Sequence, residues 1–256
     1  MPLPPPFDAR LVATRMLTPH VRELTFERTD GHPMAFEPGQ WVSVTLPRPP
    51  QASEVEGASA GDIVPGKRSY SIASAPDGSP RFEVAVTRVA GGRGSAWLHA
   101  LEPGIVLPFL GPHGFFTRTA AETNPAFFVG TGTGFTPLRS MLRAAIAAGN
   151  QTPVWLLFGT RREEDILYAE ELRAIVREHP FVRYDVTLSQ PPSSWTGRQG
   201  YVQTHVRALW EELAARTGRA PHTYVCGLTR MVGSVRDLLR KEMGLGRELV
   251  HTERYD

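Results

Sequence analysis

One cysteine, Cys226, is all that the 256-residue chain contains. A single thiol excludes a disulfide framework and falls short of the ligand set of a cysteine-bound iron–sulfur cluster. Lysine is almost as scarce, with Lys67 and Lys241 standing among cations that are otherwise arginine. Nor is there an excess of one charge. The 28 basic and 26 acidic residues leave a net +2, divided as 11 and 11 over residues 1–118 and 17 and 15 over 119–256. This argues against a dominant nucleic-acid surface, so any cationic site must be local. No apolar run approaches the ~18 residues of a membrane span. Met1-Pro2-Leu3-Pro4-Pro5-Pro6 has neither the basic start nor the apolar core of a secretory signal. The expectation is a cytoplasmic protein with no membrane span and no nucleic-acid partner. No internal repeat or heptad seam is present.

What the chain does have is two successive rhythms. Its length favours two domains, each able to bury a core. Residues 8–118 carry short β-rich segments at the spacing of an antiparallel barrel: Arg10–Met16, Val21–Glu27, Trp41–Leu46, Ser69–Ala73, Arg81–Val89 and Ile105–Leu110. Turn signals such as Glu37-Pro38-Gly39 and Pro76-Asp77-Gly78 separate them. From residue 126 strand and helix alternate: Ala126–Val129, a helix near 137–148, Val154–Phe158, a helix near 163–178, Val182–Leu188, a helix near 201–217, Thr223–Cys226 and a helix near 229–243. Such alternation predicts a parallel sheet. The fold class is therefore β followed by α/β, with a boundary in Thr117–Pro125 that gives domains 1–118 and 119–256. Pro47–Gly66, rich in Pro, Ala, Ser and Gly, reads as a long exposed loop.

Three segments carry chemistry. Arg68-Ser69-Tyr70-Ser71 sets a cation, an aromatic face and hydroxyls on one predicted strand. An isoalloxazine ring requires an aromatic to stack on, donors along its edge and a grip for two phosphates, which a guanidinium supplies bidentately. A Tyr on a half-buried strand is also an ordinary core residue. In Gly91-Gly92-Arg93-Gly94-Ser95, a flexible turn leads into a short helical pattern, where Gly92, Gly94 and Ser95 would offer amides and a hydroxyl to the same pyrophosphate. The plainer alternative is a Gly-rich hairpin end capped by Ser95. About sixty residues beyond the first segment, Gly130-Thr131-Gly132-Thr133-Gly134-Phe135-Thr136-Pro137 joins an apolar strand to a helix. Such a turn lets a phosphate approach bare backbone at a helix N-terminus.

In order along the chain, Arg68-Ser-Tyr70-Ser71-Ile-Ala-Ser, Gly-Arg-Gly94-Ser95, Leu110-Gly111-Pro112-His-Gly114-x-Phe116, Gly130-Thr-Gly132-Thr-Gly134-x-x-Pro137, Val225-Cys226-Gly227 and Glu253-Arg-Tyr255 resemble the motifs of the ferredoxin–NADP⁺ reductase family. The resemblance runs from about residue 10 to the end. It implies an FAD-binding barrel followed by a nicotinamide-dinucleotide domain, with the two rings stacked between them. The glycine turn fits that family better than the Rossmann fingerprint, because Phe135 stands at the third glycine and no ribose-binding acid follows at the right distance.

The resemblance also assigns roles. Cys226 would stand beside the nicotinamide without covalent catalysis, although a lone Cys is commonly a small buried hydrophobe. Glu253 would connect solvent to Ser71 and the flavin edge for proton transfer, and Tyr255 would cover the flavin face opposite Tyr70. A solvated carboxylate in a frayed tail is the plainer reading of Glu253. Asp256 follows Tyr255, which leaves the placement of the terminal carboxylate open. For the coenzyme, Arg161 could meet a 2′-phosphate, and Arg198, Tyr201 and Gln203 resemble the family's cation, adenine-stacking Tyr and Gln. Ser189-Gln190 stands where NADP-preferring members have Ser-Arg, with Gly227 completing the nicotinamide side. The implied cofactors are FAD and NADP(H), with NAD(H) as the alternative, and no metal. The implied reaction is hydride transfer between nicotinamide and flavin coupled to one-electron exchange with ferredoxin or flavodoxin. Two alternatives stand beside it: a reductase serving a haem protein, oxygenase component, free flavin or quinone, and a flavoprotein that binds nucleotide to regulate a partner. The oligomeric state is open.

Overall fold

The computed structural model describes residues 5–46 and 66–255. The expected 47–66 loop lies, except for Gly66, outside them. In the first half, β1 (Phe7–Thr18), β2 (Val21–Arg28), β3 (Trp41–Leu46), β4 (Gly66–Ser71), β5 (Arg81–Thr87) and β6 (Val106–His113) form one antiparallel sheet in the order β4-β3-β6-β1-β2-β5. Its ends meet through a bridge between Ile72 and Val84 and the bond from Ala73 N to Glu83 O at 2.7 Å, closing a barrel. Alternation drives the closure. Phe7, Ala9 and Leu11 on β1 and Phe82, Val84 and Val86 on β5 all turn inward and are buried. Phe7, Phe26, Phe82 and Phe109 pack ring to ring at the centre, with centroids 4.9 to 6.1 Å apart. Helix α1 (Arg93–His99) sits between β5 and β6.

The second half is a parallel sheet of β7 (Ala126–Thr131), β8 (Val154–Thr160), β9 (Val182–Leu188), β10 (Arg198–Gln199), β11 (His222–Gly227) and β12 (Val250–Arg254), in the order β10-β9-β8-β7-β11-β12. Helices α2 (Phe135–Ala147), α3 (Ala169–Glu178), α4 (Gln203–Thr217) and α5 (Thr229–Asp237) connect the strands. Central β7 and β8 are apolar on both faces, as a doubly covered parallel sheet requires. Among the described residues no helix is long and apolar enough to cross a membrane.

Three details depart from the sequence reading. The helix expected near 163–178 begins only at Ala169. Glu163–Asp165 is a 3₁₀ turn, and Tyr168, buried beneath the Arg139 guanidinium, takes φ 53°. The helix expected over 229–243 is α-helical to Asp237 and continues as a π turn over Leu238–Glu242. The residues around Glu253 form β12, paired in register with β11, rather than a frayed tail.

Candidate active site

From β7 at the middle of the sheet the chain runs outward through β8, β9 and β10, then returns to the other side of β7 as β11. The connections leaving the carboxyl ends of the paired strands β7 and β11 therefore run to opposite sides, and ligands of open α/β sheets lie in the crevice between them. The glycine turn stands there because nothing larger fits. A Cβ on Gly134 would lie 2.5 Å from the Cys226 carbonyl oxygen, and one on Gly227 would lie 2.3 Å from Thr131 Oγ1. A Cβ on Gly130 would press on Leu138 at 3.1 Å. Gly132, at φ 54°, turns the chain into α2, where Pro137 fills a first-turn position that needs no N–H donor.

Across from this turn the barrel contributes β4 and the approach to α1. Together they border a cleft of about 920 Å³ that Arg68, Tyr70, Ser71, Gly92, Gly94, Ser95, Thr133, Glu253 and Tyr255 line. Burial raises the Tyr70 phenol to about 12, so the ring stays neutral. Arg68 is exposed, and a Cβ on Gly94 would come within 3.4 Å of its Nε and 3.0 Å of Leu46 Cδ1. Glycine at 94 thus lets the guanidinium lie against the helix start. Ser95 lines the cleft and also caps the Gly-rich turn. Its hydroxyl accepts from Val89 N at 3.0 Å and donates to Gly92 O at 2.9 Å, bracing the turn itself.

Both halves meet at a group of hydroxyls and one carboxyl. Ser71, 2% exposed, accepts a hydrogen bond from the Tyr255 hydroxyl and reaches Glu253 Oε1 at 3.5 Å. Thr136, from the first turn of α2, stands 3.4 Å from the Tyr255 oxygen. Glu253 and Cys226 are register partners across β11 and β12, and Tyr255 N donates to Gly227 O at 3.0 Å. The sheet edge thereby fixes Cys226, Glu253 and Tyr255 as a set. Loss of solvation pushes the Glu253 carboxyl up to about 7 against the opposing hydrogen bond from Ser71. Burial, reinforced by Glu253, raises the Cys226 thiol well above its ordinary value, so it remains protonated. The result is a carboxyl at the cleft wall, beside the Ser71 hydroxyl, able to take or give a proton near neutrality.

At the far end of the sheet, backbone bonds from Ser189 N to Thr160 O at 3.0 Å and from Gln190 N to Arg161 O at 2.9 Å hold the ends of β8 and β9 together. Arg161 and Tyr201 are exposed, and Gln203 opens α4. Ser189 directs its hydroxyl at Thr160 O, 3.5 Å away. Arg198 is tied to Asp185, with Nε 2.9 Å from Oδ1. Sequence reasoning missed this partner, along with Trp41 at the cleft and Thr136 behind Tyr255. Thr136 lay within the glycine-turn motif and could have been found there.

A barrel and a parallel sheet sharing an aromatic-lined cleft at a topological switch point define a two-domain flavoprotein oxidoreductase that works with a nicotinamide dinucleotide. Residues 8–117 match the family model of the oxidoreductase FAD-binding domain, and residues 128–237 that of the oxidoreductase NAD-binding domain. The chain is similar to ferredoxin–NADP reductase B of Sorangium cellulosum, at 56% identity over 98% of both chains. It is also similar to the ferredoxin–NAD(P)⁺ reductase component of a naphthalene 1,2-dioxygenase system from Pseudomonas putida, at 27% identity over 96% of this chain and 67% of that one. The ferredoxin reductase in carbazole 1,9a-dioxygenase shares the fold, with a TM-score of 0.79 at 23% identity over 98% of this chain and 70% of that one. The chain belongs to the ferredoxin–NADP⁺ reductase family.

The residues fit the cofactors this implies. The cleft lies at the upper end of the ~300–1,000 Å³ typical of ligand sites, carries aromatic rings from both halves and has Lys67, Arg68, Arg93 and Arg254 along it for anionic groups. The crowding at Gly134 and Gly227 shows that bare backbone packs directly between the turn and the end of β11, while a Cβ on Gly132 would meet nothing within 4 Å, leaving open space beside the turn. FAD and NADP(H) are the cofactors of this oxidoreductase.

Proposed function

We propose that the enzyme passes hydride between NADP(H) and FAD and single electrons between FAD and a small redox protein, ferredoxin or flavodoxin. The flavin, when bound, supplies the conversion between two-electron and one-electron chemistry. Tyr70 and Tyr255 hold its ring, and Arg68 with the Gly92–Ser95 turn holds its phosphates. Gly130, Gly132, Thr133, Gly134 and Pro137 shape the seat of the nicotinamide dinucleotide, and Gly227 leaves room beside Cys226. Ser71 positions a proton at the flavin edge and Glu253 exchanges it with solvent. Residues 1–118 form the flavin half and 119–256 the nucleotide half. The observation that carries this reading is the convergence of Ser71 from the barrel with Thr136 of α2 and Glu253 and Tyr255 at the sheet edge, at one end of the cleft.

The redox partner is supported by the name of the Sorangium relative. Stopped-flow oxidation of the reduced enzyme by ferredoxin, flavodoxin, a cytochrome and free flavin tests it. The reading expects the small redox proteins to be fastest by more than tenfold, and preference for the cytochrome or free flavin overturns it.

NADH as the working coenzyme is a second reading with its own support. Gln190 brings no charge to a 2′-phosphate, and Arg198 already faces Asp185. The ratio of kcat/KM for NADPH and NADH separates the two coenzymes.

A further inference from the structure

Arg139 on α2 is 1% exposed, among the most deeply buried large side chains of the protein, although it carries a full charge. Its donors are matched from both halves. Nε and Nη2 fork onto Glu171 at 2.9 and 2.8 Å, while Nη1 reaches Glu83 Oε2 and Ala73 O, each at 2.7 Å. The Tyr168 ring lies 4.2 Å beneath the guanidinium. The next residue, Ser140, donates to Ser74 O at 2.6 Å, and Ser74 Oγ accepts from Glu83 N at 3.2 Å.

These contacts fall on a segment that matters. Ala73 and Ser74 follow Ser71 by two and three residues and include the point where the barrel closes onto β5. Arg139 and Ser140 follow the Gly130–Gly134 turn on the helix that this turn starts. The same two stretches are bridged again at the cleft, where Thr136 and Ser71 flank the Tyr255 hydroxyl. A single contact would let the barrel pivot against the sheet, whereas two contacts along the same pair of segments fix both distance and tilt.

Resting on the hydride-transfer reading above, we propose that Arg139, assisted by Ser140, is a positioning residue that sets the approach of nicotinamide carbon to flavin nitrogen by locking the Ser71–Ser74 segment onto α2. It touches neither ring. Its effect comes through the register of the two halves, and small displacements of reacting atoms are costly in rate. Arginine is required because only its planar fork can satisfy a carboxylate and a carbonyl in different directions at once.

Stopped-flow reduction of bound FAD by NADPH, run with wild type, Arg139→Lys and Ser140→Ala on FAD-loaded protein, tests this. Lysine keeps the charge but loses the fork, and Ser140→Ala removes one neutral bond and keeps the protein folded if lysine is not tolerated. The proposal expects reduction to slow by about tenfold or more in Arg139→Lys and by severalfold in Ser140→Ala. The kinetic isotope effect with deuterated NADPH should rise, KM should change little, and the oxidised flavin spectrum should be unaltered. Reoxidation of chemically reduced flavin by ferricyanide, which needs no nicotinamide, should stay within about twofold. If flavin-loaded variants show wild-type reduction rates and isotope effects, the bracket serves stability alone and the proposal falls. If wild type itself is not reduced by NADPH or NADH, the hydride-transfer reading falls first.

Discussion

Around Arg139 the barrel and the sheet are joined by charges that each find a partner. Around Ser71 they are joined by hydroxyls and one carboxyl that find fewer. At the first contact the two carboxylates keep about a quarter of their surface while the guanidinium keeps 1%. Glu171 is held below the ordinary carboxylate range by its hydrogen bonds and the Arg139 charge, which outweigh the cost of burial. At the second contact no cation offsets burial, and Glu253 rises to about 7. A saturated ion pair fixes geometry and is chemically inert. An undersolvated carboxyl beside hydroxyls costs stability and is reactive near neutral pH. Both contacts draw on the same two segments, with Glu253 of β12 and the adjoining Tyr255 completing the second, and in the proposal above rigidity at one end supports chemistry at the other.

Breaking the inert contact should have the largest effect. Arg139→Met leaves Glu83 without its cation and Glu171 with only Arg143 at 3.4 Å, and should destabilise the protein by about 3 kcal/mol, the lower end of the range for severed buried pairs because both carboxylates retain some water. Thermal unfolding of FAD-loaded protein checks this, and an unchanged midpoint would show that the bracket is not stabilising.

On the cleft side, Arg68→Ala removes a charged hydrogen-bond donor from the phosphate end and should weaken FAD by about one to two decades, corresponding to roughly 1.5–3 kcal/mol. Tyr70→Ala should weaken it by about one decade through lost stacking. Fluorescence titration of the apoprotein measures both, and wild-type affinity in either variant removes that residue from the site.

The coenzyme end divides its two arginines. Arg161→Ala should raise KM for NADPH by about a decade over that for NADH, in keeping with loss of one charged hydrogen bond. Arg198→Ala should discriminate less, because its guanidinium is already engaged by Asp185. Equal effects of each substitution on both coenzymes would remove these residues from 2′-phosphate recognition.

The reactive contact is best probed by pH. Because burial raises the folded pKa of Glu253, folding favours its protonated form. That contribution is complete below the ordinary carboxyl range and is lost as pH rises through about 7. Wild type should therefore lose stability relative to Glu253→Gln as pH rises across that window. The rate of flavin reduction should also lose its inflection near 7 in the variant. Parallel stability and rate profiles would show that Glu253 does not titrate there.

Much of this was legible in the chain. Alternation at Phe82, Val84 and Val86 marks β5, and the apolar runs of β7 and β8 mark a sheet covered on both faces. The cleft residues come from short motifs whose local sequence is distinctive. What was not legible depends on pairings between distant segments. Arg139 reaches Ala73 across 66 residues and Glu171 across 32. Arg198 finds Asp185 only because β10 lies beside β9. The left-handed Tyr168 and the late start of α3 belong to the same packing around Arg139, and nothing in residues 163–169 alone announces it. Strand β12 has five residues, and its register against β11, rather than its composition, makes it a strand.

Anaerobic titration of the purified, FAD-loaded protein with NADPH, followed by addition of oxidised ferredoxin, tests the central claim most directly. The account predicts stoichiometric bleaching of the flavin band by NADPH and its return when ferredoxin accepts the electrons one at a time. A protein that carries no flavin, or whose flavin stays oxidised in excess NADPH and NADH, would contradict it.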